Sequence, residues 1–268
     1  MYDSHMHTPL CKHATGSPAE YVRAAKKVGL KGVVFTDHSP MPAWFDPEVR
    51  MTLDQLPFYH AMIEQVREQE TSNFYVGVGL EADFHPGTED FVRKLLSEYP
   101  YDYVIGSVHY IGAWPLDHPA HTAEFGWRDL REIYRQYFSL VSGAARSKLF
   151  HSIGHLDLPK KFGHVPVDGY LDLAEDVLQV IASEGLALDV NTAGWRKQVS
   201  ELYPSPGVLS RARELKIPVV LGSDAHQPDE VGHRFSDAAQ VLSGAGYTEA
   251  TVFQLAKPVA YKLASAQR

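Results

Sequence analysis

Sulfur and long apolar runs are scarce in this chain. Cys11 is the one cysteine among 268 residues, so no disulfide can form within the chain. No apolar run approaches the roughly 18 residues that a membrane-spanning helix needs. The first five residues show neither the basic nor the apolar region of a secretion signal. We therefore expect a cytoplasmic protein that has no membrane partner.

Positive charge is scarce as well. The 25 Lys and Arg residues against 33 Asp and Glu residues leave a formal net charge of −8. Affinity for the phosphate backbone rests on lysine and arginine, so we expect no nucleic-acid partner. The sequence also lacks the G-x-x-x-x-G-K and G-x-G-x-x-G loops that bind nucleotide phosphates, and the G-x-S-x-G turn of serine hydrolases. Nucleoside-triphosphate chemistry and serine-based hydrolysis are therefore not expected.

Histidine is the residue that stands out, with 14 copies, and it follows a regular alternation of predicted strands and helices. Short apolar segments predict strands, and longer amphipathic segments predict helices. The seven predicted strands span residues 1–7, 32–36, 74–81, 103–108, 150–155, 186–191 and 218–223. The predicted helices span residues 17–28, 53–70, 88–98, 127–147, 169–184, 207–215, 235–245 and 249–255.

This alternation predicts an α/β fold with parallel strands and right-handed crossovers. Seven strand–helix units favour a distorted (β/α)7 TIM-like barrel, and an open doubly wound sheet is the alternative. No linker or shift in composition divides the chain, so we expect a single domain over residues 1–268. Residues 39–57 and 112–126 are predicted to form long loops over the barrel mouth.

Histidines and carboxylates lie at the ends of these predicted strands. Residues two positions apart in a strand face the same side, as His5 and His7 do. In a parallel barrel the carboxyl ends of all strands meet at one mouth, where residues distant in sequence share a site. A buried glutamate such as Glu81 costs several kcal/mol unless it is paired or bound to a metal. The candidate metal ligands are His5, His7, His13, His38, Glu81, His109, His155, Asp224 and His226.

Each of these residues also has an ordinary structural interpretation, since a single histidine is more often a packed core residue than a ligand. The whole pattern favours a metal centre, because six of the seven predicted strands end in a ligand. Imidazole suits Zn or Fe, and carboxylates extend the choice to Mn. Nine ligands exceed the needs of one ion, so we expect two or three divalent ions.

Cationic residues follow two of the predicted strands. Arg196 follows the sixth strand, which provides no metal ligand, and Lys160 and Lys161 follow the fifth. A guanidinium can bind a phosphate through two hydrogen bonds, although lysines usually remain solvated at the surface. We predict that these three residues bind an anionic substrate and that Asp83 and His233 complete the substrate site.

The predicted cluster suits a specific chemistry. Clustered ions lower the pKa of bound water and stabilise the oxygens that enter and leave at phosphorus. The sequence therefore predicts metal-dependent phosphoester hydrolysis, with Glu81, Asp224 and His226 as catalytic residues.

The motifs resemble those of the polymerase-and-histidinol-phosphatase (PHP) superfamily over essentially the whole chain. They are His5-x-His7 with His13, Thr36-Asp37-His38, Glu81, Gly106-Ser-Val-His109, Gly154-His155 and Asp224-x-His226. The segment Asn191-Thr-Ala-Gly-Trp-Arg-Lys197 looks like the histidinol-phosphate phosphatase branch of that superfamily.

The resemblance implies a centre of three ions of Zn, Fe or Mn. The first ion would take His5, His7, Glu81 and Asp224, the second Glu81, His109 and His155, and the third His13, His38 and His226. The branch implies hydrolysis of L-histidinol phosphate to L-histidinol and phosphate by a hydroxide that bridges the metals. Arg196 and one lysine of the 160–161 pair would hold the phosphate.

Three alternatives remain open from the sequence. The first is a PHP-type phosphoesterase that acts on a nucleotide or a sugar phosphate. The second is a metal-binding module without catalytic activity, although all nine ligand positions are filled. The third is a metal-dependent amidohydrolase, for which a lysine ligand in the middle of the barrel would be expected. The sequence leaves the oligomeric state open.

Overall fold

The computed structural model of the chain describes residues 1–70 and 73–263, and strands and helices alternate along them. The strands are β1 (Tyr2–Asp3), β2 (Gly32–Phe35), β3 (Tyr75–Asp83), β4 (Tyr103–Ser107), β5 (Tyr110–Ile111), β6 (Trp114–Pro115), β7 (Ser152–Ile153), β8 (Ala187–Asn191), β9 (Val219–Gly222), β10 (Glu249–Gln254) and β11 (Lys257–Lys262). All seven predicted strands are present. Most are shorter than predicted, because the residues near their carboxyl ends leave the ladder and face the barrel mouth.

The α-helices are α1 (Pro18–Lys27), α2 (Leu56–Gln69), α3 (Glu89–Glu98), α4 (Leu130–Arg146), α5 (Leu171–Glu184), α6 (Pro206–Glu214) and α7 (Phe235–Gly244). The start of α1 is typical of a helix that its own sequence determines. Glu20 accepts a hydrogen bond from the backbone N–H of Ser17 at 2.6 Å, and Pro18 occupies the first turn, where its missing N–H costs nothing. No helix within the described residues is both long and apolar enough to cross a membrane.

The strands form a nine-stranded sheet in the order β1-β2-β3-β4-β7-β8-β9-β10-β11, and β5 and β6 form a separate hairpin. Neighbours from β1 to β10 pair in parallel. The segment after β1 also hydrogen-bonds to the end of β9, from Ser4 N to Leu221 O (2.9 Å) and from Asp224 N to His5 O (2.8 Å). These bonds bring β1 and β9, the first and last of the seven predicted strands, together in a distorted (β/α)7 barrel.

The predicted helix at residues 249–255 is wrong, because these residues form β10. Thr251 pairs in parallel with Val220 of β9, and the strand continues into an antiparallel hairpin with β11. Asp102 holds the hairpin turn, since its carboxylate accepts the N–H of Leu255 at 2.8 Å. Thr, Val and Phe favour strands wherever a sheet edge is available. That edge is a tertiary feature, so the local pattern did not reveal it.

Two loops cover the mouth of the barrel, as the sequence predicted. Residues 39–55 contain short 3-10 turns at Pro47–Val49 and Leu53–Gln55. The loop after β4 contains the β5–β6 hairpin and a 3-10 segment at Pro119–Gly126. The Leu116 N–H bonds to the carbonyl of His109 at 3.1 Å, which ties this second loop to the end of β4.

Candidate metal centre

Glu81 lies at the centre of the histidine cluster. It is near the end of β3, and its side chain is 1 % exposed. Each of its two oxygens faces imidazole nitrogens from other strand ends. Oε2 lies 3.4 Å from His5 Nε2, 3.6 Å from His7 Nε2 and 3.0 Å from His38 Nδ1, and Oε1 lies 3.0 Å from His155 Nε2 and 3.6 Å from His109 Nε2.

Asp224 and His226 approach the same cluster from the end of β9. Asp224 Oδ1 lies 3.2 Å from His7 Nε2. The ring of His226 stacks on that of His7, with 4.0 Å between centroids. His13 lies on the other side of His226, with 4.6 Å between the ring centroids. All nine predicted ligand residues are therefore brought together at the mouth.

Within this cluster, several groups of three residues have ligand atoms close enough to share one ion. They are His5, His7 and Glu81, then Glu81, His109 and His155, then His7, His38 and His226, with all ligand atoms of a group within 4.8 Å of one another. The first two groups match subsets of the ligand sets implied by the resemblance. In the third, His7 takes the place expected for His13, which groups instead with Cys11 and His226.

Unpaired ring nitrogens show that the cluster suits metal ions. His5 Nε2, His7 Nε2, His38 Nδ1 and His226 Nε2 are buried, and within residues 1–70 and 73–263 none of them has a partner in hydrogen-bond geometry, although carboxylate oxygens lie near. A buried polar nitrogen without a partner costs free energy. Divalent ions accept lone pairs from imidazole and carboxylate, so this donor set fits such ions.

A carboxylate behind each of three imidazoles sets the direction of the ring. Asp189 Oδ2 lies 2.8 Å from His5 Nδ1, Asp37 Oδ1 lies 3.4 Å from His7 Nδ1, and Asp83 Oδ1 lies 2.7 Å from His109 Nδ1. With Nδ1 bonded to a carboxylate, Nε2 faces the cluster.

The sequence did not identify Asp37 and Asp189 as orienting residues. The signal for Asp189 was a carboxylate inside the otherwise apolar strand β8, where burial requires a partner. Asp3, two residues before His5, accepts the backbone N–H groups of Ser223 (2.9 Å) and Gly232 (2.8 Å).

Burial and neighbouring charges shift the pKa values of the cluster. Burial, helped by the neighbouring His7, lowers the pKa of the His38 imidazole to about 4, against the opposing effect of Glu81. Burial alone would raise the pKa of Glu81, but the neighbouring His38 and His5 outweigh it and hold that pKa well below its usual range. An ionised Glu81 beside a neutral His38 is the protonation state that binds a cation.

A cavity of about 470 Å³ opens above the cluster. Four cationic side chains line it: Arg50, Lys161, Arg196 and Lys197. Arg196 donates to the carbonyls of Ser223 and Asp224, each at 3.0 Å, while its Nη1 has no partner in the part of the chain that the structure describes. Desolvation by the surrounding protein atoms lowers the pKa of Lys197. An acidic chain thus places four cationic side chains beside its histidine cluster, together with the carboxylates of Asp46, Asp117 and Glu230.

Three predicted substrate residues are not brought to this cavity. Lys160 is 0 % exposed and is held by Asp157 at 2.9 Å and Glu201 at 2.6 Å. Asp83 is buried between Arg50 and His109, so it orients an imidazole and does not face the cavity. His233 is not among the residues that line the cavity.

Lys197 takes the place in the cavity expected for Lys160, since it lines the wall next to Arg196. Its position directly after Arg196 was the available signal, but the sequence alone does not show that both of these adjacent cations line the cavity.

The fold and the cluster define a class of metal-binding α/β barrel proteins, and the comparison with known families agrees. The PHP domain profile matches residues 3–193, and the chain belongs to this family.

Individual relatives extend the similarity over most of the chain. A Deinococcus radiodurans protein named "Probable histidinol-phosphatase" is 58% identical over 244 residues, which cover 91% of this chain and 93% of that protein. The Bacillus subtilis protein named "Histidinol-phosphatase" is 31% identical over 257 residues, with 87% and 96% covered. The crystal structure of histidinol phosphate phosphatase from Lactococcus lactis, complexed with Zn, L-histidinol and phosphate, has a TM-score of 0.84 at 22% identity, with 96% and 98% covered.

Proposed function

We propose that this chain hydrolyses L-histidinol phosphate to L-histidinol and phosphate, a step of histidine biosynthesis, with divalent ions bound at the cluster. A relative named for this activity is 58% identical over 91% of the chain, and the L. lactis structure of the same fold contains Zn, L-histidinol and phosphate. The observation that carries the proposal is the convergence of five imidazoles within 3.6 Å of Glu81, beside a cavity that Lys161, Arg196 and Lys197 line.

The nine ligands would hold two or three ions of Zn, Fe or Mn. We assign His5, His7, Glu81 and Asp224 to the first, Glu81, His109 and His155 to the second, and His13, His38 and His226 to the third. Bound ions would lower the pKa of water and neutralise the charge that develops on phosphoryl oxygens. Glu81 is the residue that can bridge, because each of its oxygens faces a different group of histidines.

The protein residues hold the substrate and the imidazoles in place. Lys161, Arg196 and Lys197 line one cavity with the cluster, so their charges attract a phosphate dianion toward it. Arg196 lines the cavity and is anchored by Glu230 at 3.1 Å, so its guanidinium is held in place beside the cluster. Asp189, Asp37 and Asp83 keep His5, His7 and His109 in one orientation, which reduces the reorganisation needed during the reaction.

A screen of phosphate release tests this function. The purified protein, with its metal content measured on the same sample, is incubated with L-histidinol phosphate, nucleotides and sugar phosphates. We expect the highest kcat/KM for L-histidinol phosphate and loss of activity after chelation. Equal or better turnover of a nucleotide or sugar phosphate would contradict the substrate assignment, and no hydrolysis of any phosphomonoester by the metal-loaded protein would contradict the reaction itself.

The proposal places the reaction in the cytoplasm and includes a small-molecule substrate but no nucleic acid or membrane. Tagging the protein and fractionating cells checks the location, with recovery in the cytoplasmic fraction as the expected result.

A further inference from the structure

The cavity above the cluster contains a pair of opposite charges, Asp117 and Lys161, of which the proposed hydrolysis uses only the lysine. Asp117 follows the β5–β6 hairpin, and Lys161 follows β7. Lys161 Nζ lies 3.0 Å from Asp117 Oδ2 and also donates to the Asp117 carbonyl at 2.8 Å. Both side chains line the same cavity as Glu81 and His109.

The pair is fixed in position and also accessible. Leu116, the residue before Asp117, is fully buried, and its N–H is bonded to the His109 carbonyl. The Asp117 side chain nevertheless remains 26% exposed, and that of Lys161 17%. Asp117 therefore presents a carboxylate to the cavity, and the bond between Leu116 and His109 holds it close to the end of β4.

Asp117 is a carboxylate of this cavity that lies beside Lys161 and has capacity left for a second cation. Glu81 and Asp224 face the histidine cluster. Glu230 is engaged by Arg196 through one oxygen and by the His226 N–H through the other. Within residues 1–70 and 73–263, Asp117 Oδ2 is held by Lys161, and Oδ1 accepts no hydrogen bond.

We propose that Asp117 binds the ammonium group of the substrate while Lys161 binds its phosphate, so that the pair selects 2-aminoalkyl phosphates. This inference rests on the proposed function. Only two carbon atoms separate the ester oxygen from the amine in L-histidinol phosphate, so its anionic and cationic groups are neighbours. The Lys161–Asp117 pair presents the complementary charges, also as neighbours. Hydrogen bonds from Lys161 to the phosphate and from the ammonium group to Asp117 would each join two charged groups, and such bonds are stronger than those between neutral groups.

Binding of such a substrate also resolves the charge balance of the pair. A phosphate that attracts Lys161 removes a cation from Asp117, which would then be left partly buried without a partner. An ammonium group restores that partner, whereas a neutral hydroxyl of a sugar phosphate does not. The pair therefore favours an aminated substrate and penalises one that lacks the amine.

The test compares L-histidinol phosphate with 3-(imidazol-4-yl)propyl phosphate, which lacks only the amine. Steady-state phosphate release is measured with the metal-loaded wild type and the Asp117→Asn variant. We expect the wild type to prefer the aminated substrate by about 10- to 100-fold in kcat/KM, mainly through KM, as for a hydrogen bond between charged groups. In Asp117→Asn this ratio should fall close to 1, with turnover of the analogue retained.

Asp46→Asn is the matched control, because Asp46 is another carboxylate of this cavity and accepts a hydrogen bond from Tyr110. It should leave the ratio between the two substrates unchanged. An equal loss on both substrates in Asp117→Asn would mean that Asp117 only positions Lys161, and collapse of the ratio in Asp46→Asn would assign the amine elsewhere; either result overturns the inference. Equal turnover of both substrates by the wild type overturns it and leaves the proposed function intact. Turnover of neither overturns the proposed function and this inference with it.

Discussion

At the scale of single residues, the cluster depends on carboxylates that lie behind the imidazoles. His5 is the clearest case, because Asp189 holds its Nδ1 at 2.8 Å and both side chains are fully buried. A histidine oriented in this way offers a single nitrogen to the cluster and is a stronger base. The orienting carboxylates therefore matter for metal binding, although they face away from the cavity.

Asp189→Asn tests this dependence. The amide cannot supply the charge that orients His5, so we expect metal affinity and kcat/KM to fall by about 10- to 100-fold. Metal content after dialysis and the rate of phosphate release measure the effect. Asp90→Asn, at an exposed carboxylate on α3, is the control and should match the wild type. Unchanged metal content in Asp189→Asn would exclude this role.

Lys197 gives a residue-scale prediction about pH. Although Lys197 keeps exposed surface, desolvation by the surrounding protein atoms lowers its pKa, so it loses its positive charge at a lower pH than an ordinary lysine. Because the charge attracts phosphate, the KM for substrate should rise with pH. The rise should begin at a pH below the pKa of an ordinary lysine. Arginine stays charged at these pH values, so Lys197→Arg should flatten that rise. The measurement is the profile of KM against pH for the wild type and for Lys197→Arg. Identical profiles would show that Lys197 does not contribute to phosphate binding.

At the scale of elements, close contact between neighbouring strands sets the positions of the ligands. Gly79 of β3 lies against β4, and a Cβ atom there would be 2.2 Å from the carbonyl oxygen of Tyr103. The hydroxyl of Tyr59 from α2 bonds to the Gly79 carbonyl at 2.8 Å and to that of Phe35 at 3.0 Å. Helix α2 and strand β4 thus hold in place the part of β3 that leads to Glu81.

Gly79→Ala should therefore destabilise the protein by about 1–3 kcal/mol, since the added methyl forces the backbone of β3 and β4 apart. The midpoint of urea unfolding measures this loss. Gly207→Ala is the matched control, because a Cβ at this position in α6 meets no atom within 4 Å and alanine favours a helix. We expect the control to be unchanged or slightly more stable, and an equal loss in both variants would exclude the steric explanation.

At the scale of the whole molecule, the cluster joins strand ends from all around the barrel. His5 follows β1, Glu81 lies in β3 and Asp224 follows β9, so their buried charges and unpaired nitrogens oppose folding unless ions bind. Ion binding at this mouth should therefore stabilise the entire barrel.

Chelation should lower the midpoint of thermal unfolding by roughly 5–10 °C. This range follows from about 2.7 kcal/mol of stabilisation at an ion concentration 100 times the dissociation constant, and from about 2–4 °C for each kcal/mol in a protein of this size. Scanning calorimetry with and without a chelator makes the measurement. Glu81→Ala should respond less to the chelator, and equal responses in both proteins would contradict a centre built on Glu81.

The sequence by itself determined the order of strands and helices and which residue types stand at the strand ends. Alternation within a strand is local, so the pairing of His5 with His7 and of Asp224 with His226 could be read directly from their spacing. The ends of parallel strands meet at one mouth, and the candidate cluster follows from that rule.

The tertiary structure alone decided which neighbours complete the site. Lys160 and Lys161 are adjacent, yet the 3-10 turn at Leu158–Phe162 directs Lys160 to the carboxylates of Asp157 and Glu201 and Lys161 to the cavity. The strand at Glu249–Gln254 likewise depends on the edge of β9. The physical reason is the same in both cases. Partners distant in sequence, Glu201 for Lys160 and Val220 for the strand, contribute free energy that selects the conformation, and local periodicity carries no information on them.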